Sequence, residues 1–373
     1  MARYRYISCH PVTRQQLHNS LRLIDPQWSW VVGGNGTLSA KITVPDDPQQ
    51  IAKLKVATQP KQAAIYVRSN TTNSYRWGGF VVGREWDPVT NQLSIDCIEW
   101  RGWPYFTIWP GMADQFSAIQ QDQLLIARTL MTTNVGESGS PPMTFDSTQT
   151  SGILRDLSFW RTDLKKVGPV IDTMSNRDRG FEWTIDSRSG ADGLPYLHFA
   201  TSYPQRGSLV TGLIFKHTPG GSNIVPGRVK EDVTNRVDTF YATGAGQPPA
   251  QPMGIDRNPE VLTGQLLRFD GGTNYNNVSD ITTLTSHARA ARKFYEPGIN
   301  LMTVEHNFDR IDPETYAVGD RARLQLEDRW LALDYPAVRI IEKKVNMAGA
   351  GKVTLTLDLS DATLPEVDAG GVV

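Results

Sequence analysis

WGGFVVGREWDPVTNQLSIDCIEWRGWPYFTIWPG, residues 77–111, decides the reading of this chain. Residues 79–85 are apolar and β-branched, Asp87-Pro88 and Asn91 carry turn chemistry, and Leu93, Ile95 and Cys97 then alternate with Ser94 and Asp96. Period-2 alternation marks a half-buried strand. The stretch therefore predicts two strands joined by a tight turn, followed by an aromatic segment closed by Pro110-Gly111. It holds five of the chain's ten tryptophans and no catalytic constellation.

Upstream, Tyr4 and Tyr6 precede a charged loop, and Trp28, Trp30, Val31 and Val32 lead into the turn 33–36. Leu38, Ala40, Ile42 and Val44 alternate with polar neighbours, predicting a strand with one wet face that Pro45 and Pro48 end. Residues 64–68 read as another short strand. Short strands at regular spacing suggest a sandwich or barrel.

Downstream, Phe116, Ile119, Gln123, Ile126 and Leu130 fall at helical spacing, and Ser117 with Gln120 reads as a capping box, so a helix is expected over most of 117–132. Residues 134–152 read as a Gly/Ser/Pro/Thr loop. Leu164, Val167, Val170, Ile171 and Met174 suggest a turn and a short helix interrupted at Gly168-Pro169. Residues 181–187 and 194–200 read as strands joined by a loop. Glycine and proline punctuate 201–260, with a strand expected at 237–242 and a loop at 244–254. Ser279 or Asp280 caps an expected helix carrying Leu284, Ala288, Ala291 and Tyr295 and ended by Pro297. Residues 321–326, 337–343 and 353–359 read as strands, and 367–373 as a frayed end. The organisation expected is mainly β (α+β): a first β domain at 1–115, an α/β insert at 116–230, and a second β domain at 231–373 with a helical insert around 279–296.

The first and last domains look alike in their order of events. A strand leads into a Pro/Asp turn; a short strand follows, residues 65–68 beside 324–327; then comes a β-branched strand, 80–82 beside 338–341, a turn and a strictly alternating strand. Either the chain carries two copies of one module, or two unrelated antiparallel β modules share a common look.

The totals exclude more than they assign. A chain of 373 residues accommodates two or three domains. A net charge of −1 with pI near 6.6 supplies no basic field for nucleic acid. Cys9 and Cys97 form neither a metal spacing nor a disulfide framework, and Cys97 reads as a small buried hydrophobe. The N-terminus lacks an apolar signal core, and no apolar run approaches the roughly 18 residues of a spanning helix. The expectation is a soluble protein made in the cytoplasm. His10, His18, His198, His217, His287 and His306 are scattered, none at metal-ligand spacing. Glu85 and Glu99 among tryptophans are weighed as a glycosidase pair and read as solvated or paired charges. The glycines at 33–36 precede a strand and those at 244–246 precede prolines, so neither is a phosphate cradle. Arg177, Arg179 and Arg188 make at most a small basic patch. No catalytic, cofactor or metal residue is assigned. Trp86, Trp100, Trp103 and Trp109 would suit either a subunit contact or a sugar-stacking platform.

Residues 77–111 with the Asp122-Gln123 helix resemble the minor tail proteins of siphophages infecting actinobacteria, which are similar to the tail-tip or baseplate hub family. Residues 181–185 after a helix, Tyr203-Pro204-Gln205-Arg206-Gly207, and the turn at 316–320 fit the same pattern. The resemblance implies two tail-tube-like antiparallel β-barrels with α/β inserts; with no catalytic or metal constellation among the residues, no enzyme activity and no cofactor are expected. It implies a homotrimeric ring that closes the tail tube and opens for DNA passage, located in the virion. The implied partners are distal tail or tail-tube protein, the C-terminus of the tape-measure protein and other tail-tip proteins, with genomic DNA only in transit. The rival expectation is a carbohydrate-binding or wall-degrading tail protein using the four tryptophans, and ring exposure discriminates between the two.

Overall fold

The computed structural model describes residues 3–111, 113–146, 148–177, 179–275, 278–295 and 299–360. Its centre is the expected hairpin: Tyr75–Asp87 pairs antiparallel with Gln92–Glu99. The turn is held by the Asp87 carboxylate, which accepts from Val89 N at 2.8 Å and Thr90 Oγ1 at 2.6 Å, and by Asn91 at φ 51°. Outward on one side lie Thr37–Thr43 and Ile24–Val31; on the other lie Ala64–Ser69, Tyr4–Cys9 and Gln16–Leu21.

A second set of strands repeats this order. Val225–Asp232, Ile299–Asn307, Lys352–Asp358, Ala332–Asn346, Arg321–Glu327, Leu209–Thr218 and Gly221–Ser222 lie side by side. The likeness reaches single residues. A bulge separates Val81 from Gly83 against the alternating strand, and another separates Ile340 from Glu342. Lys61 N donates to Val81 O and Val81 N to Ala63 O; Gly319 N donates to Ile340 O and Ile340 N to Asp320 O. Gly79 opposes Ile65 where Val338 opposes Ala322, so the short strands correspond two residues away from the match read in the sequence. The flanks differ: Tyr4–Cys9 runs antiparallel to its neighbour, whereas Leu209–Thr218 runs parallel to Arg321–Glu327.

Two closed barrels were expected, and among the described residues neither half closes. The strand that would seal the first half, Ile24–Val31, gives its free edge to Ala332–Asn346, and the halves become one 14-stranded sheet. A strand has two edges, and once both are paired none is left for closure. The halves share one hydrophobic cluster, with Trp28, Leu38, Trp77 and Ile95 from one side and Phe215, Val304, Leu324 and Leu355 from the other.

A second core, under Trp100, Trp109, Leu130, Ile171, Trp183 and Phe199, holds the insert. A ribbon of Gln115–Asp122 and Leu154–Trp160, the helices Gln123–Val135 and Val167–Ser175, and the hairpin Glu182–Ser189 with Pro195–Ser202 build it. Met143–Phe145 adds to that hairpin in parallel. A smaller unit packs the helix Ile281–Tyr295 on three short strands around Thr239–Thr243.

Several local expectations change. The helix expected over 117–132 begins at Gln123, because Phe116 and Ala118 are buried while Ser117 and Ile119 are exposed, which is strand alternation. Gly168-Pro169 lies within the first turn of its helix, where a missing N–H costs nothing. Pro48 does not merely end a strand. It opens the helix Pro48–Ala57, capped by the Asp47 carboxylate on Gln49 N at 3.0 Å. The expected loop 244–254 ends in the strand Met253–Arg257. The strands Leu209–Thr218 and Val225–Asp232 stand in the segment read as mere punctuation. Pro297 and residues 367–373 lie outside the described residues.

Candidate functional site

The seam between the half-sheets gathers buried charge, with Glu99, Arg101, Arg339 and Lys343 all buried there. Gln27–Val31 pairs antiparallel with Glu342–Asn346, and Val32 N extends it to Ile341 O at 2.9 Å. The bulge at Ile341 shifts the strand's alternation by one residue. Lys343 therefore takes an inward slot that a regular strand would give to an apolar side chain. Its ammonium donates to the Tyr316 carbonyl at 2.9 Å and to the Pro313 carbonyl, and lies 4.3 Å from the Tyr316 ring and 5.2 Å from Trp30. Burial, helped by nearby Arg76, lowers its pKa to about 7.

The segment between Asn307 and Arg321 is clamped to the first half. Glu314, nearly buried, accepts from Arg76 Nη2 at 2.8 Å and from Ser69 Oγ at 2.9 Å, and Arg3 pairs with Asp312. Beneath it, His306 Nε2 meets the Tyr316 hydroxyl at 2.5 Å, and burial lowers the imidazole pKa to about 4.

The insert closes the seam's other flank. Arg339 grips Glu182 through Nη2 at 2.7 and 2.6 Å, and Arg206 Nη2 meets Asp186 at 2.9 Å. Arg101, buried, pairs with Asp172 at 3.0 Å and lies 4.1 Å from the Trp183 ring, whose Nε1 also donates to Asp172. Glu99 is buried and accepts from Gly36 N at 2.9 Å; burial raises its carboxyl pKa to about 7 against that bond's pull. A cavity of about 160 Å³ lies among these groups.

This arrangement holds elements together. Its charges are met by one another, by carbonyls, by the Ser69 hydroxyl or by the Gly36 N–H, and the His306 ring is engaged by Tyr316 and the Asn307 carbonyl. The sequence reading singled out none of Arg76, Arg101, Glu182, Glu314 or Lys343. The available signal was a lysine in an inward slot of a β-branched strand, hidden by the bulge.

The weighed candidates fall apart in space. Glu85 opposes Ser94 and Glu99 opposes Gly79, so they stand about 20 Å apart along the hairpin, beyond the roughly 5–10 Å of a glycosidase pair. Trp100 and Trp109 are 1% and 5% exposed, while Trp86 is 57% exposed. Trp109 packs edge-on against Phe116 and Phe159, so the four rings form no shared platform. Arg177 and Arg179 line one hollow with Arg101, while Arg188 sits 3.8 Å from Asp186. Cys97 is buried. His198 meets Thr144, His217 meets Ser222 and His287 stacks on Tyr275. Among the described residues, no three His, Cys, Asp or Glu side chains converge as a metal site, and no helix is long and apolar enough to cross a membrane.

No protein-family model matches the sequence, and comparison with curated proteins finds no match. Solved structures do match, over nearly the full length of both chains. The prophage MuSo2 43 kDa tail protein from Shewanella oneidensis is 12% identical with a TM-score of 0.62, covering 97% of this chain and 98% of its own. The tail protein from Neisseria meningitidis MC58 is 11% identical with a TM-score of 0.60, covering 96% and 97%. The prophage tail protein gp18 from Listeria monocytogenes EGD-e is 12% identical with a TM-score of 0.54, covering 94% of each chain. The chain therefore has the fold of these phage tail proteins.

Proposed function

We propose that this chain is a structural protein of a phage tail, the tail-tip hub. In this reading three copies form a ring that closes the tail tube, contacts tube or distal tail protein on one face and the tape-measure C-terminus and tip proteins on the other, and opens for DNA. The observation that carries the reading is the end-to-end likeness to solved tail proteins, at 97% and 98% coverage, in a chain whose sheet is built from two equivalent halves. Duplication gives each subunit two near-equivalent surfaces, which is what joining a threefold tip to a sixfold tube requires. The polar seam supports a scaffolding role, since its groups lock elements in place. We place the start of the second half near residue 209, where its sheet begins.

Light scattering on the purified chain with negative-stain imaging tests this. A threefold ring with an axial hole is expected. A monomer that binds cell-wall glycan would overturn the reading.

A further inference from the structure

The seam is made once within the chain, and the parts for making it again lie unused at its two ends. Residues 342–346 are paired on one side with the alternating strand and on the other with residues 27–31. Their counterparts are residues 83–87: the bulges at Val82 and Ile341 coincide. Arg84 also reaches the Lys55 carbonyl at 2.7 Å, as Lys343 reaches that of Pro313. On the outer side of residues 83–87 no strand is paired among the described residues.

The counterpart of Ile24–Val31 is Val225–Asp232. Trp28 opposes Leu38, which opposes Cys97; Val229 opposes Met302, which opposes Leu357. Both strands carry an irregularity just before that point. Among the described residues, Val225–Asp232 pairs only with Ile299–Asn307, and its other edge is open. The two open edges stand at opposite ends of the row of strands and are not paired with each other among the described residues.

We propose that they meet between copies: Val225–Asp232 of one copy adds antiparallel to residues 83–87 of the next, in the register of the internal seam. That register sets Lys343 against Trp30, Lys344 against Ser29, Val345 against Trp28 and Asn346 against Gln27. Transferred to the open edges, it sets Arg84 against Glu231, Glu85 against Lys230 and Asp87 against Arg228, each an opposite-charge pair. Trp86, more than half exposed, falls against Val229. Opposite charges and aromatic–β-branched pairs across strands stabilise such an edge. A slip of one residue either way sets Glu85 against Glu231 or Arg84 against Lys230, so like charges guard the register. In the single chain, among the described residues, Lys230 pairs with Asp232 at 2.9 Å on the surface, a pair worth little against a new contact. The contact is head-to-tail, the kind that generates rings when the rotation closes. This inference rests on the ring reading above and names its interface.

Trp86→Cys with Val229→Cys in one chain tests it, since the native thiols Cys9 and Cys97 are buried. Mild oxidation is expected to link copies into a ladder that ends at the ring size, with neither single variant doing so. Glu85→Lys is expected to weaken self-association roughly fivefold per contact, and adding Lys230→Glu to restore it. A ring that forms without the cross-link or the rescue overturns this pairing and leaves the hub reading standing. A chain that stays monomeric at its highest soluble concentration overturns both.

Discussion

Glu99 and Lys343 are the two charges the seam holds most awkwardly, and they respond to pH in opposite directions. Burial raises the Glu99 carboxyl from an ordinary 4.5 to about 7. Between those values the folded chain keeps a proton that the unfolded chain has lost. Its contribution to stability is therefore full below about pH 4.5 and lost as pH rises through about 7. Glu99→Gln still offers an oxygen to Gly36 N and has no charge to bury. The variant is expected to escape that loss and to end on the order of 2 kcal/mol more stable than the parent at pH 8. Melting temperatures from pH 4 to 8 check this, and parallel curves would refute it. For Lys343, lowered from 10.5 to about 7, the folded chain sheds its proton first, so stability rises as pH climbs through that window. Lys343 did not stand out in the sequence, and Glu99 was weighed only with Glu85 and read as a solvated or paired charge: Glu99 ends a regular strand and Lys343 follows a bulge, and only the packing shows that both face inward.

At the scale of elements, the boundary at Asp122 shows how a cap is recognised. Its Oδ1 accepts from Leu124 N at 2.9 Å to start the helix Gln123–Val135. Its Oδ2 accepts from Ser151 N at 2.8 Å, Ser151 Oγ at 2.9 Å and Gly152 N at 2.8 Å, tying down the returning loop. Although partial burial raises it, these bonds hold its carboxyl below the usual range. Asp122→Ala is expected to cost about 1–2 kcal/mol, with Asp122→Asn recovering part of it, as read by chemical denaturation. A loss under a few tenths would mean that water substitutes for the cap. Ser117 looked like the cap because Phe116, Ile119 and Gln123 happen to fit a helical period. The exposed Ile119 and buried Ala118 reverse that reading once burial is known.

For the whole molecule, the question is whether the half-sheets move as one body. One hydrophobic cluster runs through both, and Glu314 anchors the second half to Arg76 and Ser69 of the first. Glu314→Ala strips Arg76 of its acidic partner and leaves it the Thr72 hydroxyl; Arg76 is partly exposed, so water offsets some of the loss, and a cost of roughly 2 kcal/mol is expected. Denaturation of the parent is expected as one transition, and hydrogen exchange in the variant should rise first along residues 27–31 and 342–346. Equal exchange across the sheet would mean that the ion pair does not govern the seam.

The sequence by itself determined the local grammar. Alternation at 37–43, 92–99 and 352–358, the turn at 87–92 and a helix capped at Ser279 or Asp280 all follow from side-chain period and turn chemistry, which act over a few residues. Only the tertiary structure decided where each strand's second edge goes. Edge pairing joins residues more than 300 positions apart, as Trp28 meets Val345, and backbone N–H and C=O groups are the same whatever the side chain. The alternating strands were legible from their side-chain period, while the strands at 209–218 and 225–232 and the choice between two closed barrels and one continuous sheet were not. The charges that fill the seam were hidden likewise, because a buried ion pair leaves no period in a sequence and takes its meaning from the partner it reaches.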